Sequence, residues 1–163
     1  MTLPTSRFFS KDPEQLANNL QDMYADIVRN LNGDIKIWTP TISGATGAGA
    51  GTYTTQSGLY LRQGLITDVW YYVVWSAHTG TGNMILNLPL KVKLTVRDYF
   101  TEAVEITGIN LSANYTYAMA RCSSNSLKCA MIEVGDDVTP QNIAMDGVAG
   151  LRGHLRYIGQ VGA

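Results

Sequence analysis

The chain has 163 residues, of which 45% are hydrophobic and only 15% are charged, and its formal net charge is −1. This length predicts one domain of ordinary size with a small appendage, and the hydrophobic share allows a sizeable core. A typical globular domain carries about a quarter charged residues, so the low charge favours self-association. The near-neutral charge and the lack of basic runs argue against nucleic acid as a partner.

Targeting and cofactor patterns are missing from the sequence. The first residues show no charged segment followed by an apolar run, so no secretory signal is predicted. No apolar run approaches the roughly 18 residues of a membrane span. Cys122 and Cys129 are too few for a disulfide framework and lack a zinc pattern, so we expect two buried or half-buried thiols in a protein made in a reducing cytoplasm. No metal, cofactor or membrane insertion is expected.

Residues 1–33 are predicted to form an attachment segment, made of an irregular arm followed by one helix. Asp12 suits the N-cap, Pro13 the first helical position and Gln15 the third, which together form a capping-box pattern. Asn32-Gly33 is typical of the end of a helix. A helix of about 19 residues is only marginally stable alone in water, so this one must pack against something.

Two arrangements remain open for this helix. It can lie on its own β domain, or it can bundle with identical helices or dock into a larger assembly. Its apolar residues are first spaced by four, three and four, the seam pattern of a coiled coil, which favours the second arrangement. The residues assigned to attachment or oligomerisation are Phe8, Phe9, Leu16, Leu20, Met23, Ile27 and Leu31.

From residue 34 onward the hydrophobic period changes to two, which predicts strands. The segments between them are rich in Gly, Asn, Ser and Asp, as turns are. Strands are predicted at 35–42 with a bend at Pro40, 52–56, 59–63, 65–77, 83–88, 90–96, 103–109, 115–121, 127–134 and 151–158. This pattern predicts an antiparallel β-sandwich or jelly roll over residues 34–163.

The segment Val69–Trp75 is an unbroken run of apolar and aromatic residues. In a strand, one face would carry Val69, Tyr71, Val73 and Trp75, and the other Trp70, Tyr72 and Val74. An antiparallel strand with one face in water should alternate apolar and polar residues, so this strand needs apolar partners on both faces. One partner is the domain core, and the other is a second layer or another copy of the chain.

Catalytic patterns are not found. His78 and His154 have no sequence neighbour that would make either a proton relay or a metal pair. The Gly-rich segment 44–51 lacks the Gly-Lys-Ser/Thr ending of a P-loop, and no helix pattern follows it. There is no Gly-x-Ser-x-Gly elbow. We therefore predict that the protein is not an enzyme.

Binding is more open, because nine tyrosines and three tryptophans are many for this length. Exposed aromatic side chains beside His and Asn would suit stacking on sugars. The candidates for receptor-binding loops are Tyr53, Tyr60, His78, Asn83, Tyr115 and Tyr117. The alternative is that these side chains fill the core or a subunit interface.

Several segments, in order and spacing, resemble a β domain common in tail fibres and related virion surface proteins of tailed bacteriophages. They are W-T-P-T-I-S-G at 38–44, T-Y-T-T-Q-S-G-L-Y-L-R-Q-G at 52–64, V-W-Y-Y-V-V-W-S-A at 69–77, T-G-T-G-N-M-I-L-N-L-P at 79–89 and G-H-L-R-Y at 153–157. The predicted arm and capped helix resemble the start of small phage structural proteins.

This resemblance implies a homotrimeric, jelly-roll or TNF-like β domain on an N-terminal attachment segment, in a virion protein without catalytic residues. Trp70, Tyr72 and Val74 become candidates for the trimer interface. A short tail fibre would bind other virion proteins through residues 1–33 and expose the β domain to a host-surface glycan. A capsid decoration protein bound to the head lattice is the alternative, and a non-viral carbohydrate-binding module is a remote one.

Overall fold

The computed structural model describes residues 14, 15, 18, 20–25, 33–93 and 100–160. Residues 14, 15, 18 and 20–25 are helical, in agreement with the predicted helix. Leu20 and Tyr24 are exposed there, and Met23 is half-buried. The other attachment candidates, Phe8, Phe9, Leu16, Ile27 and Leu31, lie outside the described residues, as does the arm.

The described strands form one antiparallel sheet, which confirms the prediction of a mainly antiparallel β protein. In chain order they are β1 (Asp34–Trp38), β2 (Thr41–Gly44), β3 (Gly51–Gln63), β4 (Ile66–His78), β5 (Met84–Asn87), β6 (Phe100–Thr107), β7 (Tyr117–Cys122), β8 (Lys128–Val134), β9 (Gln141–Asn142) and β10 (Ala149–Ile158). Their order in the sheet is β1-β3-β4-β10-β6-β7-β8-β5-β2, and β9 pairs with β8.

The sheet curls until its two ends meet. β1 and β2 are the first and last strands in the order, yet only Thr39 and Pro40 separate them along the chain. A link of this length spans at most about 10 Å, so both ends of the sheet must lie close together. The prediction of one strand over 35–42 is therefore wrong. Pro40 divides the segment, because it has no N–H to continue a strand ladder.

Side chains close the gap between β2 and the β3–β4 hairpin. The Tyr53 hydroxyl accepts a hydrogen bond from the Ile42 N–H at 3.0 Å and donates one to the Ile42 carbonyl at 3.1 Å. His78 Nε2 lies 3.1 Å from the same carbonyl. Gln56 Nε2 donates to the Pro40 carbonyl at 2.9 Å. The closure is thus made by side chains that reach the backbone of Ile42 in β2 and of Pro40 just before it.

Large and small residues alternate across the inner surface of the sheet. Trp38, Gly58, Tyr71 and Gly153 are successive cross-strand neighbours in β1, β3, β4 and β10. A Cβ atom on Gly58 would lie 2.5 Å from Trp38 Nε1, and one on Gly153 would lie 2.6 Å from the Tyr71 hydroxyl. The glycines therefore make room for the neighbouring rings, and such positions let a sheet bend.

Gly58 also explains an error in the predicted strands. The sequence predicted a turn at Ser57-Gly58 between two short strands, but β3 runs without a break through Gly51–Gln63. Glycine here accommodates the Trp38 ring and does not form a turn. The real turn is at Gly64-Leu65, where Gly64 has φ 59° as the first central residue of a type II′ hairpin requires.

The prediction for the inner face of β4 is confirmed. Val69, Tyr71, Val73 and Trp75 are each at most 3% exposed and belong to the hydrophobic core. β4 pairs along ten residues with β10, which continues this core with Leu151, Leu155 and Tyr157. β4 and β10 therefore form the centre of the β1–β3–β4–β10–β6 side of the sheet.

Strand boundaries elsewhere follow the prediction within a few residues, with two differences. No strand is found at 90–93, where Val92 makes an isolated bridge to Gly159, and residues 94–96 lie outside the described part. The two-residue β9 was not predicted, because so short a pairing has no periodicity of its own. The jelly-roll arrangement stays a prediction.

Candidate interaction surface

The outer surface of β1, β3 and β4 carries a cluster of exposed apolar side chains, here called the outer-face patch. It consists of Ile35 (68% exposed), Ile37 (85%), Leu59 (45%), Trp70 (42%) and Tyr72 (44%). Large apolar side chains on the outer face of a strand favour burial against a partner surface, because exposing apolar surface to water is unfavourable.

Strand register makes the patch continuous. Ile37 is directly opposite Leu59, and Leu59 is directly opposite Trp70. Side chains of directly opposite residues point to the same face with Cβ atoms about 4.5–5.5 Å apart. The three therefore form an apolar strip across three strands, with Ile35 and Tyr72 beside it on the same face.

Polar and charged residues of β10 and β6 border the patch. The His154 ring packs on Trp70 with 5.0 Å between ring centroids and an interplanar angle of 31°. Arg152 lies over the Tyr72 ring at 5.9 Å and makes a 2.6 Å ion pair with Glu105. An apolar centre with a polar rim of this kind is typical of protein interfaces.

A buried carboxylate organises this rim. The Asp68 side chain is 5% exposed and accepts hydrogen bonds from Arg156 Nε at 2.7 Å and Nη2 at 3.3 Å, and from His154 Nε2 at 3.0 Å. Burial alone would raise the pKa of Asp68, but the bonds from Arg156 and His154 outweigh it and lower the pKa. Asp68 is therefore ionised at neutral pH and holds the Arg156 and His154 side chains in place.

The structure brings the candidates for the trimer interface onto one surface. Trp70 and Tyr72 lie in the patch, and Val74 is half-buried on the same face of β4. Sequence reasoning missed Ile35, Ile37 and Leu59. The alternation Ile35-Lys36-Ile37 was a usable sign, but without the pairing of β1 with β3 it did not show which face these residues share.

Four of the six receptor-loop candidates lie in strands, so their assignment to loops was wrong. Tyr53 and Tyr60 belong to β3, His78 ends β4, and Tyr117 begins β7. Tyr53 and His78 are engaged with the β2 backbone. Because the Gly80 N–H donates to His78 Nδ1 at 2.8 Å, the ring hydrogen belongs on Nε2, facing the Ile42 carbonyl.

The remaining candidates are dispersed. The Tyr115 hydroxyl donates to the Thr139 carbonyl at 2.9 Å. Tyr60 is half-buried against the core, whereas Tyr117 is exposed. Asn83 is exposed and makes an isolated bridge to Ala144. The Tyr53 and His78 rings meet edge-on, with 6.5 Å between their centroids, and no other ring contact joins two of these six residues within the described part of the chain.

A polar cleft of about 240 Å³ lies beside β8 and β9, and its lining includes none of these six candidates. Its lining residues are Ile109, Asn110, Ser112, Glu133, Gln141, Asn142, Ile143, Ala144, Met145 and Asp146. Carboxylates, amides and a hydroxyl alternate there with apolar side chains. This composition suits a ligand rich in hydroxyl groups, since a few convergent polar groups in a concave site fix a ligand's orientation.

Glu133 is the buried acid of this cleft. It is 3% exposed and accepts hydrogen bonds from the Ser112 N–H at 2.7 Å and from Gln141 Nε2 at 2.6 Å. Burial alone would raise the pKa of Glu133, but the bonds from Ser112 and Gln141 outweigh it and lower the pKa. The inward alternation of Cys129, Met131 and Glu133 in β8 was the sequence sign that this acid faces inside.

Within the described residues, no group of three or more His, Cys, Asp or Glu side chains is arranged to hold a metal ion. None of the helical residues seen in the structure belongs to a helix long and apolar enough to cross a bilayer. Comparison with protein-family models, with curated proteins and with solved structures found no match.

Proposed function

We propose that this protein is a self-associating structural component of a bacteriophage virion, a short trimeric tail fibre or tail appendage. The observation that carries the proposal is the outer-face patch, which leaves Ile37, Leu59 and Trp70 as a continuous apolar strip on a single chain. The resemblance of residues 38–89 to phage fibre domains supports the same assignment. In this proposal, the patch of each chain packs against a neighbouring copy.

The chemistry of the rim supports a specific contact. Arg152 and Arg156 lie beside Glu105 and Asp68, so both signs of charge border the apolar strip. Such a rim excludes wrong partners and fixes register more than it adds affinity. The three-fold symmetry and the jelly-roll arrangement come from the resemblance, and they are part of the proposal.

Light scattering of the purified protein tests self-association. Trp70→Asp places a charge in the proposed interface, so we expect a folded monomer or aggregates in place of a trimer. Leu127→Asp is the matched control, because Leu127 is 50% exposed but lies outside the patch, and this variant should remain trimeric. Trimers that persist in Trp70→Asp would contradict the assigned interface.

Val73→Asp tests the inner face of β4, as Trp70→Asp tests the outer face. Val73 is 0% exposed in the core, so an ionised carboxylate there should prevent folding altogether. Circular dichroism is expected to show strand structure in Trp70→Asp and its loss in Val73→Asp. Equal loss in both variants would show that the outer face is covered within one chain.

Virion incorporation tests the role of the attachment segment. Deleting residues 1–33 should abolish incorporation while leaving a folded β domain. Protein copy number then distinguishes the tail from the head: tens of copies or fewer per particle support an appendage, and hundreds support the decoration protein. An unfolded deletion product would show that the N-terminal segment belongs to the core.

For host recognition, we place glycan contact at the polar cleft. Asn110→Ala should reduce binding of the trimer to host-surface glycan, because it removes an amide from the cleft lining. Asn83→Ala is the matched change at a candidate whose side chain is not part of the cleft lining, although Asn83 pairs with the lining residue Ala144. Loss of binding in Asn83→Ala alone would move recognition back to the loops. Normal adsorption of virions that lack the protein would rule out a receptor role.

A further inference from the structure

Two thiols lie directly opposite each other inside the sheet. Cys122 ends β7, Cys129 is the second residue of β8, and the two are cross-strand partners. Both are 0% exposed and face the core. The sequence predicted buried thiols, which is confirmed, but it did not predict that they are partners.

The geometry of antiparallel pairs suits a bond between them. Directly opposite residues have Cα atoms about 4.5 or 5.5 Å apart, depending on the type of pair. Disulfides span Cα separations of about 4.4–6.8 Å, so both types fall in the range. The side chains also share one face of the sheet, because directly opposite residues of an antiparallel pair point the same way. A disulfide therefore needs little movement of the backbone.

We propose that Cys122 and Cys129 are an oxidative modification site, at which a cross-strand disulfide forms once the protein leaves a reducing compartment. The bond would join β7 to β8 across the short loop at 123–127. The chemistry depends only on the two cysteines. Its timing, at release of particles from the host cell, rests on the proposed virion function.

The reaction balances with a small-molecule disulfide such as oxidised glutathione as the oxidant. One cysteine thiolate attacks it, forms a mixed disulfide and releases one glutathione thiolate. The thiolate of the second cysteine attacks the protein sulfur of the mixed disulfide and releases the second glutathione. The two cysteines lose two protons and two electrons, and one oxidised glutathione becomes two reduced ones.

Burial makes this reaction slow in the folded protein. It raises the pKa of the Cys129 thiol, which reduces the thiolate fraction, and it keeps the oxidant away from both sulfurs. Reaction therefore proceeds through local opening of the β7–β8 hairpin. We expect the rate to increase with pH and with low, non-denaturing concentrations of urea.

The test is incubation of the full-length native protein with oxidised glutathione, followed by thiol titration and peptide mapping. We expect free thiols to fall from two to none, with a Cys122–Cys129 cross-link within one chain. Closing so small a loop should raise the Tm by about 5–10 °C, reversibly on reduction. In Cys122→Ala, oxidant should produce no cross-link within the chain and no such increase in Tm.

Three outcomes would overturn the site: thiols that stay free while the hairpin opens in hydrogen exchange, a stable glutathione adduct without cross-link, or a bond between chains. Oxidation of the denatured chain serves as the control that both cysteines are chemically competent. If the cross-link forms but virions lack the protein, the proposed function is wrong and the modification site stands.

Discussion

Single side chains shape the inner surface of the sheet by filling or leaving space. The Trp38 ring occupies the place of a side chain at Gly58, and the Tyr71 ring does the same at Gly153. Neither glycine needs a positive φ, so its role is the close approach of a neighbouring ring. These contacts depend on strand pairing, and one strand's sequence cannot reveal them.

Gly58→Ala is expected to destabilise the protein by about 1–3 kcal/mol, because its Cβ would lie 2.5 Å from Trp38 Nε1 and the ring would have to move. Urea unfolding measures the change. Gly147→Ala is the control, since nothing lies within 4 Å of a Cβ there, and it should be neutral or slightly stabilising. Equal effects in the two variants would refute the packing argument.

Asp68 and Glu133 make the free energy of unfolding depend on pH in the acid range. The pKa of each is lowered in the folded protein, whereas unfolded Asp and Glu titrate near about 3.9 and 4.3. A lowered folded pKa contributes stability that is complete above the unfolded value and is lost as pH falls through the folded one. We therefore expect the urea midpoint to fall steeply below about pH 4.

Asp68→Asn tests the source of this dependence. At pH 7 it should cost about 1–2 kcal/mol, because the charge-assisted bonds from Arg156 and His154 weaken. Below pH 4 the variant should lose less stability than the parent protein. Asp136→Asn, at an exposed turn, should keep the parent's pH profile. A parallel profile for Asp68→Asn would contradict the assignment.

Strands with a strong local pattern could be predicted from the sequence. The run Val69–Trp75 identified β4 as a strand and divided its residues correctly between two faces, because alternation and β-branched residues act locally. The outer-face patch was predicted only in part: Trp70 and Tyr72 were identified from the sequence, but the residues that β1 and β3 contribute were not.

The closure of the sheet could not be predicted in this way. Residues 35–42 have one continuous pattern, but Pro40 divides them between opposite ends of the strand order. Tyr53 and His78 were predicted to contact a ligand. Their structural role was missed because their hydrogen bonds to Ile42 join residues that are distant in the sequence. The cleft around Glu133 likewise combines three separate loop and strand segments.

Tyr53→Phe should weaken the closure between β2 and β3. It removes the hydroxyl that both accepts from and donates to Ile42, at a cost of about 1–2 kcal/mol. Hydrogen exchange at the Ile42 amide should accelerate more than exchange in β4. Tyr117→Phe, which changes an exposed ring, should affect neither. Unchanged exchange at Ile42 in Tyr53→Phe would show that β2 is held by other contacts.

The molecule as a whole shows one curled sheet with a filled interior and an apolar patch outside. Its low charge agrees with such a surface, because few charged side chains are present to cover it. The patch and the polar cleft involve different strands, β1–β3–β4 and β8–β9. An assembly through the patch would therefore leave the cleft free for a ligand, as the proposed function requires.

The place of β10 has a consequence for biosynthesis. β10 is the last of the described strands, yet it lies between β4 and β6 within the sheet. Until a ribosome has released residues 149–158, ten residues of β4 present an unpaired edge, which is a template for pairing with other nascent chains. Folding of this part of the sheet must therefore wait until residues 149–158 are available, and chaperones that shield strand edges should raise the yield of folded product.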